Sequence, residues 1–487
     1  MSPVGLQHTL SASPAAPVAR RAPLSHAQLA PRQHRNPCHC RSRSGSVDQL
    51  SLPGDKAPPG PADFVLPTHL ERLRKYGPVY KLGSSDSKTV VVADPSEVQA
   101  LLSADFHHVA NDWGKGVLDL LGPYALVNQQ GEMHKAARRV LTKGFSKEAT
   151  LAYVPDVVRL ASEFLSRWSQ AENIPLLGEL KCFNFDISCS LIMGFDVEEQ
   201  ERRQQRKHFT ALTAGFFAAP FEQSNPLAAA ALTARTKLRE GIHPRVTSAP
   251  DQAASDGDTQ KAKQLTPLQR LNAIAEAEDE ALSLEELLDQ SLMLLNASTE
   301  TTAFTMCNMI MELESNPSIA QKLADEQKAL AEEHGQDLSG VLLDHMVYGE
   351  AVIREALRIH SPVPFVFRKA LTDLTVGSYT IPEGWTLQLA LRQMDLEPHM
   401  VPEQPGFHPE RWLDDSGNLI EQPRSFMPFG GGAHLCLGWM LAKLEMKVLI
   451  ALLVRGFTCQ QARPSQPLAA TVSDKDDIIL MSFRAKY

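Results

Sequence analysis

Near the C-terminal end of the chain apolar residues fall at Leu441, Leu444, Val448 and Leu452, a spacing that keeps them on one helical face, and Gly456 supplies a stop. The stretch from Leu66 to Tyr76 has the same periodicity. Ser283-Leu-Glu-Glu286 reads as a capping box, and no proline follows until Pro317, so a long helix is predicted between them. Val352 to His360 reads as a helix that ends before Pro362. By contrast, Val90–Val92 is a β-branched run closed by Asp94-Pro95, which predicts a strand, a turn and another helix. No stretch approaches the ~20 consecutive apolar residues that cross a bilayer.

Composition narrows the classes. With 487 residues and 43% hydrophobic content the chain can bury a large core, and length alone suggests roughly three domains. The seven cysteines, at 38, 40, 182, 189, 307, 436 and 459, form no paired CxxC units, which supports neither a disulfide framework nor a zinc knuckle. A net charge of −9 argues against general nucleic-acid binding. Charge is unevenly distributed. Residues 1–47 contain six Arg, no Asp, Glu or Lys, and abundant Ser, Ala and Pro, a composition similar to organellar transit peptides. A plastid fits this leader better than the alternative, a mitochondrion; a disordered basic tail is the plainer reading. Without it, 42 basic residues face 57 acidic ones, a net charge of −15. Residues 48–65 read as a Pro/Gly-rich linker. Residues 246–268, poor in aromatics and rich in Ser, Ala, Asp, Gln and Lys, read as a mobile surface insertion.

The sharpest chemical signal is Phe429-Gly-Gly-Gly-Ala-His434-Leu-Cys436-Leu-Gly438, a glycine-rich loop that delivers one cysteine to the predicted start of a helix. There the helix N-terminus favours the thiolate, the form that binds metal. The glycines permit φ > 0 and close backbone approach, so that amide hydrogens can point at the sulfur. A lone cysteine in an apolar run is more often inert core. This context differs, because every position matches Phe-x-x-Gly-x-Arg/His-x-Cys-x-Gly, the haem-binding segment of the cytochromes P450. The chain resembles that family over roughly residues 65–485.

The resemblance implies one large haem-binding domain over 66–487, mainly α with small β-sheets, and haem b as cofactor, with Cys436 as the iron ligand and Phe429 and His434 in the loop around it. In Gly131-Glu-Met-His134-Lys-Ala-Ala-Arg138, the i, i+4 spacing puts His134 and Arg138 on one helical face. Both match positions that bind the haem propionates, carboxylates costly to bury unpaired. Arg368 matches a further propionate ligand, while Val363, Phe365 and Val366 are expected to wall a substrate pocket, or else to be plain strand core. Glu355 and Arg358, with Arg411 in Phe407-His-Pro-Glu-Arg411-Trp412, match a buried structural clamp beneath the haem. Within the long helix, Ala297-Ser298-Thr299-Glu300-Thr301-Thr302 matches the family's oxygen-activating segment. Glu300 and Thr301 are the catalytic pair, an acid and an alcohol for proton delivery. The plainer reading leaves them back-bonding or facing solvent. Ser298 departs from the usual glycine; its hydroxyl is expected to serve the carbonyl freed at a local bulge.

His134, Gly384-Trp385 and Glu445-Met446 look most like the retinoic acid hydroxylases and their cyanobacterial relatives. The implied function is a haem-thiolate monooxygenase that uses dioxygen and two electrons to hydroxylate a small hydrophobic substrate, an isoprenoid, retinoid or sterol-like lipid. Its electrons would come from a separate donor, a ferredoxin or a flavoprotein reductase, for which Arg138, Arg139, Lys443 and Lys447 are expected to form a local basic face. Peripheral membrane contact is compatible with this reading. Two alternatives stand beside it: a plastid haem-thiolate isomerase or lyase acting on lipid hydroperoxides, and a non-catalytic haem-binding protein.

Overall fold

The capping box at Ser283 closes as predicted: its hydroxyl accepts from the Glu286 amide, the Glu286 carboxylate reaches back to the Ser283 amide, and a helix of 32 residues, Leu284–Ser315, follows. Twenty of those residues are buried, and they lie on every side of the helix, the pattern of an element at the centre of a core. Its buried polar members find partners elsewhere in the chain. Gln290, for example, accepts from the Leu126 amide and donates to the Tyr124 carbonyl.

The structure is a computed structural model that describes residues 52–54, 66–83, 87–192, 199–216, 218, 221–247, 282–394, 406–462 and 479–486. The expected leader, most of the linker and the expected insertion beyond Thr247 lie outside the described residues. The first part of the chain gives α1 (Leu66–Tyr76), β1 (Val79–Leu82), β2 (Thr89–Val92), α2 (Pro95–Ser103), β3 (Val109–Asn111), α3 (Lys115–Leu121) and α4 (Gly131–Gly144). Next come α5 (Lys147–Ala152), α6 (Val154–Ser169), β4 (Ile174–Pro175), α7 (Leu176–Ile187) with a π turn over Ser188–Ile192, α8 (Glu199–Gly215) and α9 (Pro226–Thr247). The long helix is α10. After it follow α11 (Pro317–His334), α12 (Gly340–Asp344), α13 (Val347–Ile359), β5 (Phe365–Ala370), β6 (Leu374–Val376), β7 (Tyr379–Ile381), β8 (Thr386–Ala390) and α14 (Leu391–Met394). The cysteine loop then leads to α15 (Trp439–Gly456), β9 (Phe457–Gln461) and β10 (Leu480–Ala485).

The helices carry the core, with α10 packed on α7, α9, α13 and α15. Strands form a five-stranded sheet in the order β1-β2-β8-β5-β3, a three-stranded sheet β4-β10-β9 and the hairpin β6-β7. In the larger sheet β2 and β8 pair in parallel, Val90 beside Leu387, which ties the first part of the chain to the last. The fold is thus mainly helical with small sheets, as the resemblance implied. No helix among the described residues is long and apolar enough to cross a membrane.

One buried charge fixes the region that leads into the cysteine loop. Glu355 on α13 has no exposed surface and accepts from Arg358, the Arg411 guanidinium, the Trp412 indole and the His408 amide, all at 2.8–3.0 Å. Burial alone would raise its pKa, but Arg358, the His408 amide and Arg411 outweigh burial and hold the carboxyl below its ordinary value of 4.5.

Replacing Glu355 with Leu would leave two guanidiniums buried without their carboxylate, a loss of about 3–5 kcal/mol. Because the folded pKa is depressed, the carboxylate's contribution is present above pH 4.5 and is lost as pH falls through the lower folded value. Urea unfolding should therefore show a wide gap between wild type and Glu355→Leu at neutral pH that narrows in acid. A gap unchanged by pH would contradict the assignment.

Candidate functional site

The cysteine loop is shaped by glycine. Gly430 and Gly432 have φ of 74° and 64°, and a side chain at Gly432 would sit 1.9 Å from the Leu102 carbonyl oxygen, so α2 presses directly on the loop backbone. The Cys436 amide donates to the Phe429 carbonyl at 2.9 Å and closes the turn, while the Phe429 ring lies 6.4 Å from Trp439. Gly438 is the N-cap of α15, so Cys436 precedes the helix by three residues instead of starting it. The Gly438 amide nevertheless acts on the sulfur and lowers its pKa.

Cys436 is exposed as a residue, while its surroundings are dense in protein atoms. Burial raises its thiol pKa, and the Gly438 amide and the Arg138 charge pull it back without overcoming that rise. The amide at the helix start thus works toward the thiolate and burial works against it, with burial the larger. A bound metal cation would deprotonate the thiol outright. Among the described residues no three His, Cys, Asp or Glu side chains cluster to hold a metal ion. An iron that brings its own equatorial ligands fits a lone thiolate; a bare ion does not.

Around the sulfur gathers an unusual set of donors. His134 on α4 is buried, and neither of its ring nitrogens has a partner. Its ring lies 4.2 Å from His434 and 5.0 Å from Phe106. His434 meets the Asn111 amide at 3.1 Å through Nδ1, and its buried Nε2 is unpartnered. Burial, then the Arg138 and Arg368 charges, depress His134 to about 4. Burial, then His134, Arg368 and Arg138, depress His434 to about 3. Arg138 donates to the Leu435 carbonyl at 2.6 Å, beside the cysteine. Arg368 is held by buried Asp105 at 2.6 and 3.3 Å and donates to the Phe367 carbonyl at 3.0 Å. Two arginines and two histidines thus converge with Asp105 as the carboxylate bonded to Arg368, a set suited to a group carrying two carboxylates. The unpartnered imidazole nitrogens make the haem propionates a good chemical fit.

Glu300 and Thr301 lie on α10, which packs against α15, the helix after Cys436. Thr301 Oγ1 donates to the Ala297 carbonyl at 2.7 Å, and Glu300 pairs with Lys181 of α7 at 2.9 Å, both carboxylate and ammonium being about one-third exposed. The helix runs unbroken, so no bulge is needed at Ser298; its Oγ back-bonds to the Leu294 carbonyl at 2.7 Å and meets Ser188 Oγ at 2.5 Å. Phe365 is 7% exposed and packs in the sheet core, its ring 4.6 Å from His69, which assigns it to strand core and not to a pocket wall.

The expected basic face is also corrected. Lys443 and Lys447 turn onto buried Glu350, and Lys447 also donates to the Leu343 carbonyl at 3.0 Å. Beside Cys436 the exposed side chains include Leu435 and Trp439. Sequence reasoning missed Asp105, Lys181, Asn111 and Trp113, whose buried indole nitrogen is also without a partner. None carries a local pattern; each is recognised only through a residue distant in the chain, as Asn111 is by lying opposite Arg368 in the sheet.

Comparison with known proteins places these features. The family model described as Cytochrome P450 matches residues 68–480. The chain is 27% identical to cytochrome P450 26A1 of Danio rerio over 84% of each chain. It is 28% identical to taxane 10-beta-hydroxylase of Taxus cuspidata, covering 80% of this chain and 78% of that one. Its structure resembles that of a retinoic acid-bound cyanobacterial CYP120A1 with a TM-score of 0.77 and 25% identity, over 89% of this chain and 99% of the other.

The Asp105–Arg368 pair makes a separable prediction. Burial outweighs the arginine and leaves the Asp105 pKa raised, so the pair is costly to desolvate. Asp105→Asn should destabilise the protein by about 3–5 kcal/mol in urea unfolding, because Arg368 is left buried and charged without a carboxylate. The double variant Asp105→Leu/Arg368→Met should recover most of that loss. Equal losses in the single and double variants would refute the account.

Proposed function

The chain belongs to the cytochrome P450 family of haem b monooxygenases, and on that premise we propose that it hydroxylates a small, apolar isoprenoid-type molecule with electrons from a separate ferredoxin-like donor. The observation that carries the reading is Cys436, exposed in its glycine loop, its thiol pKa lowered by the Gly438 amide and the Arg138 charge, beside buried imidazole nitrogens without partners. Cys436 would hold the iron, and His134, His434, Arg138 and Arg368 would receive the propionates. When bound, haem supplies the reductive activation of dioxygen.

The protein's own work is then proton handling and exclusion of water. Glu300, partly exposed, forms the solvent-facing end of the path and must release Lys181 to exchange a proton. Thr301 holds its hydroxyl proton on the Ala297 carbonyl and can rotate it toward the reacting oxygen. For the substrate class, support comes from the relatives whose names specify retinoic acid and a taxane, both isoprenoid. The leader composition supports a plastid address.

Two measurements follow. Thr301→Ala in haem-loaded protein, supplied with ferredoxin, its reductase and retinoic acid as probe, should divert electrons into free hydrogen peroxide and lower product per electron by roughly 10²-fold, the lower end for loss of an acid–base group. Cys436→His should abolish the long-wavelength Soret band of the reduced carbon monoxide complex. Unchanged coupling, or full turnover of a lipid hydroperoxide without any donor, would favour the isomerase alternative. Separately, residues 1–50 fused to a fluorescent protein should enter a plastid; diffuse cytosolic fluorescence would refute that address.

A further inference from the structure

Three elements of the site meet at one buried amide. Asn184, near the end of α7, is 1% exposed. With its amide oriented so that both ends are satisfied, Nδ2 donates to Glu445 Oε2 at 3.3 Å and Oδ1 accepts from the Ala303 amide at 2.8 Å. Glu445 is on α15, nine positions after Cys436, and is 2% exposed. Ala303 is on α10. Its N–H belongs to the rung that closes onto the Thr299 carbonyl, and the turn so closed contains Glu300 and Thr301. A side chain that competes for such a rung is a recognised cause of local helix distortion.

One turn further along, Ser188 reinforces the contact. Its hydroxyl approaches the Asn184 carbonyl at 2.8 Å and Ser298 Oγ at 2.5 Å, while Ser298 Oγ reaches the Leu294 carbonyl at 2.7 Å. Those three links share only two hydroxyl protons, so one of the three always lacks a serine proton. The π turn that begins at Ser188 directs the serine at α10. Neither Asn184 nor Glu445 touches the cysteine or the Thr301 hydroxyl directly.

We propose that Asn184, anchored by Glu445, is a positioning residue for the Glu300–Thr301 turn, setting where that turn stands relative to the helix that follows Cys436. The inference rests on the monooxygenase reading. Burial pushes the Glu445 carboxyl up to about 8, toward its neutral form, for which glutamine is the closest mimic.

The test uses haem-loaded, full-length protein and two readouts. One is the infrared C–O stretching band of the reduced carbon monoxide complex, which senses groups next to the bound gas. The other is hydrogen peroxide released per dioxygen consumed with ferredoxin and its reductase. Asn184→Ala and Glu445→Leu should shift and broaden the band and raise the peroxide ratio, with a loss of coupling smaller than the ~10²-fold lower limit for removing an acid–base group outright. Glu445→Gln should restore both to wild-type values. If Glu445→Leu fails to incorporate haem, Asn184→Ala and Asn184→Ser decide the matter. A folded, haem-loaded Asn184→Ala with wild-type band and ratio would overturn the proposal. So would Glu445→Gln behaving like Glu445→Leu, since the carboxyl would then act as an acid and not as an anchor. Wild type that consumes no dioxygen would refute the monooxygenase reading alone, and the carbon monoxide band would still decide the positioning.

Discussion

A carboxylate with no exposed surface can stay ionised only if several donors reach it from more than one element, and Glu355 is where this protein meets that requirement. Arg358 comes from the same helix, but Arg411, Trp412 and the His408 amide come from a segment more than fifty residues later. The clamp therefore fixes the chain just before the cysteine loop. From Trp412 the order passes to Phe426, 4.7 Å away ring to ring, and then into the glycines that lie against Leu102. Precision at a sulfur begins with electrostatics some distance from it.

Within the site itself the donors are not satisfied in the same way. Every oxygen of Glu355 meets donors that need it, whereas of His134, His434, Arg138 and Arg368 only Arg368 has a carboxylate, Asp105. The histidines respond by staying neutral, which lowers the cost of keeping them close together. Their unpartnered nitrogens remain the unsatisfied remainder, and buried polar groups of that kind ordinarily have partners. A dianionic ligand resolves the conflict from outside the chain, so the protein's folding and its cofactor binding are coupled through the same few atoms.

The helices were legible because periodicity is a local property. The bounds of α1 and the capping box of α10 follow from it directly, and the cysteine loop was legible because ten consecutive residues carry its meaning. Partnerships were not. Arg368 and Asp105 are 263 residues apart, and nothing around Asp105 marks it as a partner. Lys443 and Lys447 have the spacing of a solvated basic face, yet Glu350, almost a hundred residues earlier, turns both inward. Ser298 illustrates the same limit on a smaller scale. Its departure from glycine was visible, but the hydroxyl that meets it, Ser188, belongs to another helix. Sequence shows which residues carry chemistry; tertiary packing decides which of them are already occupied.

That distinction bears on how an electron donor would approach. With Lys443 and Lys447 committed to Glu350, little of the expected positive charge is left at the mouth of the loop, and the chain as a whole is acidic. Long-range attraction of an acidic donor is weak under these conditions, because exposed charges are screened over ~8 Å at physiological ionic strength. Leu435 and Trp439 are exposed on either side of Cys436, each 37% accessible, and Arg139 lies exposed on α4. Aromatic and apolar groups of this kind give contact energy only at short range, once two surfaces have met. On the proposed reading, recognition of the donor therefore depends on fit at the cysteine loop more than on steering by the field of the whole protein, and its rate should depend only weakly on salt.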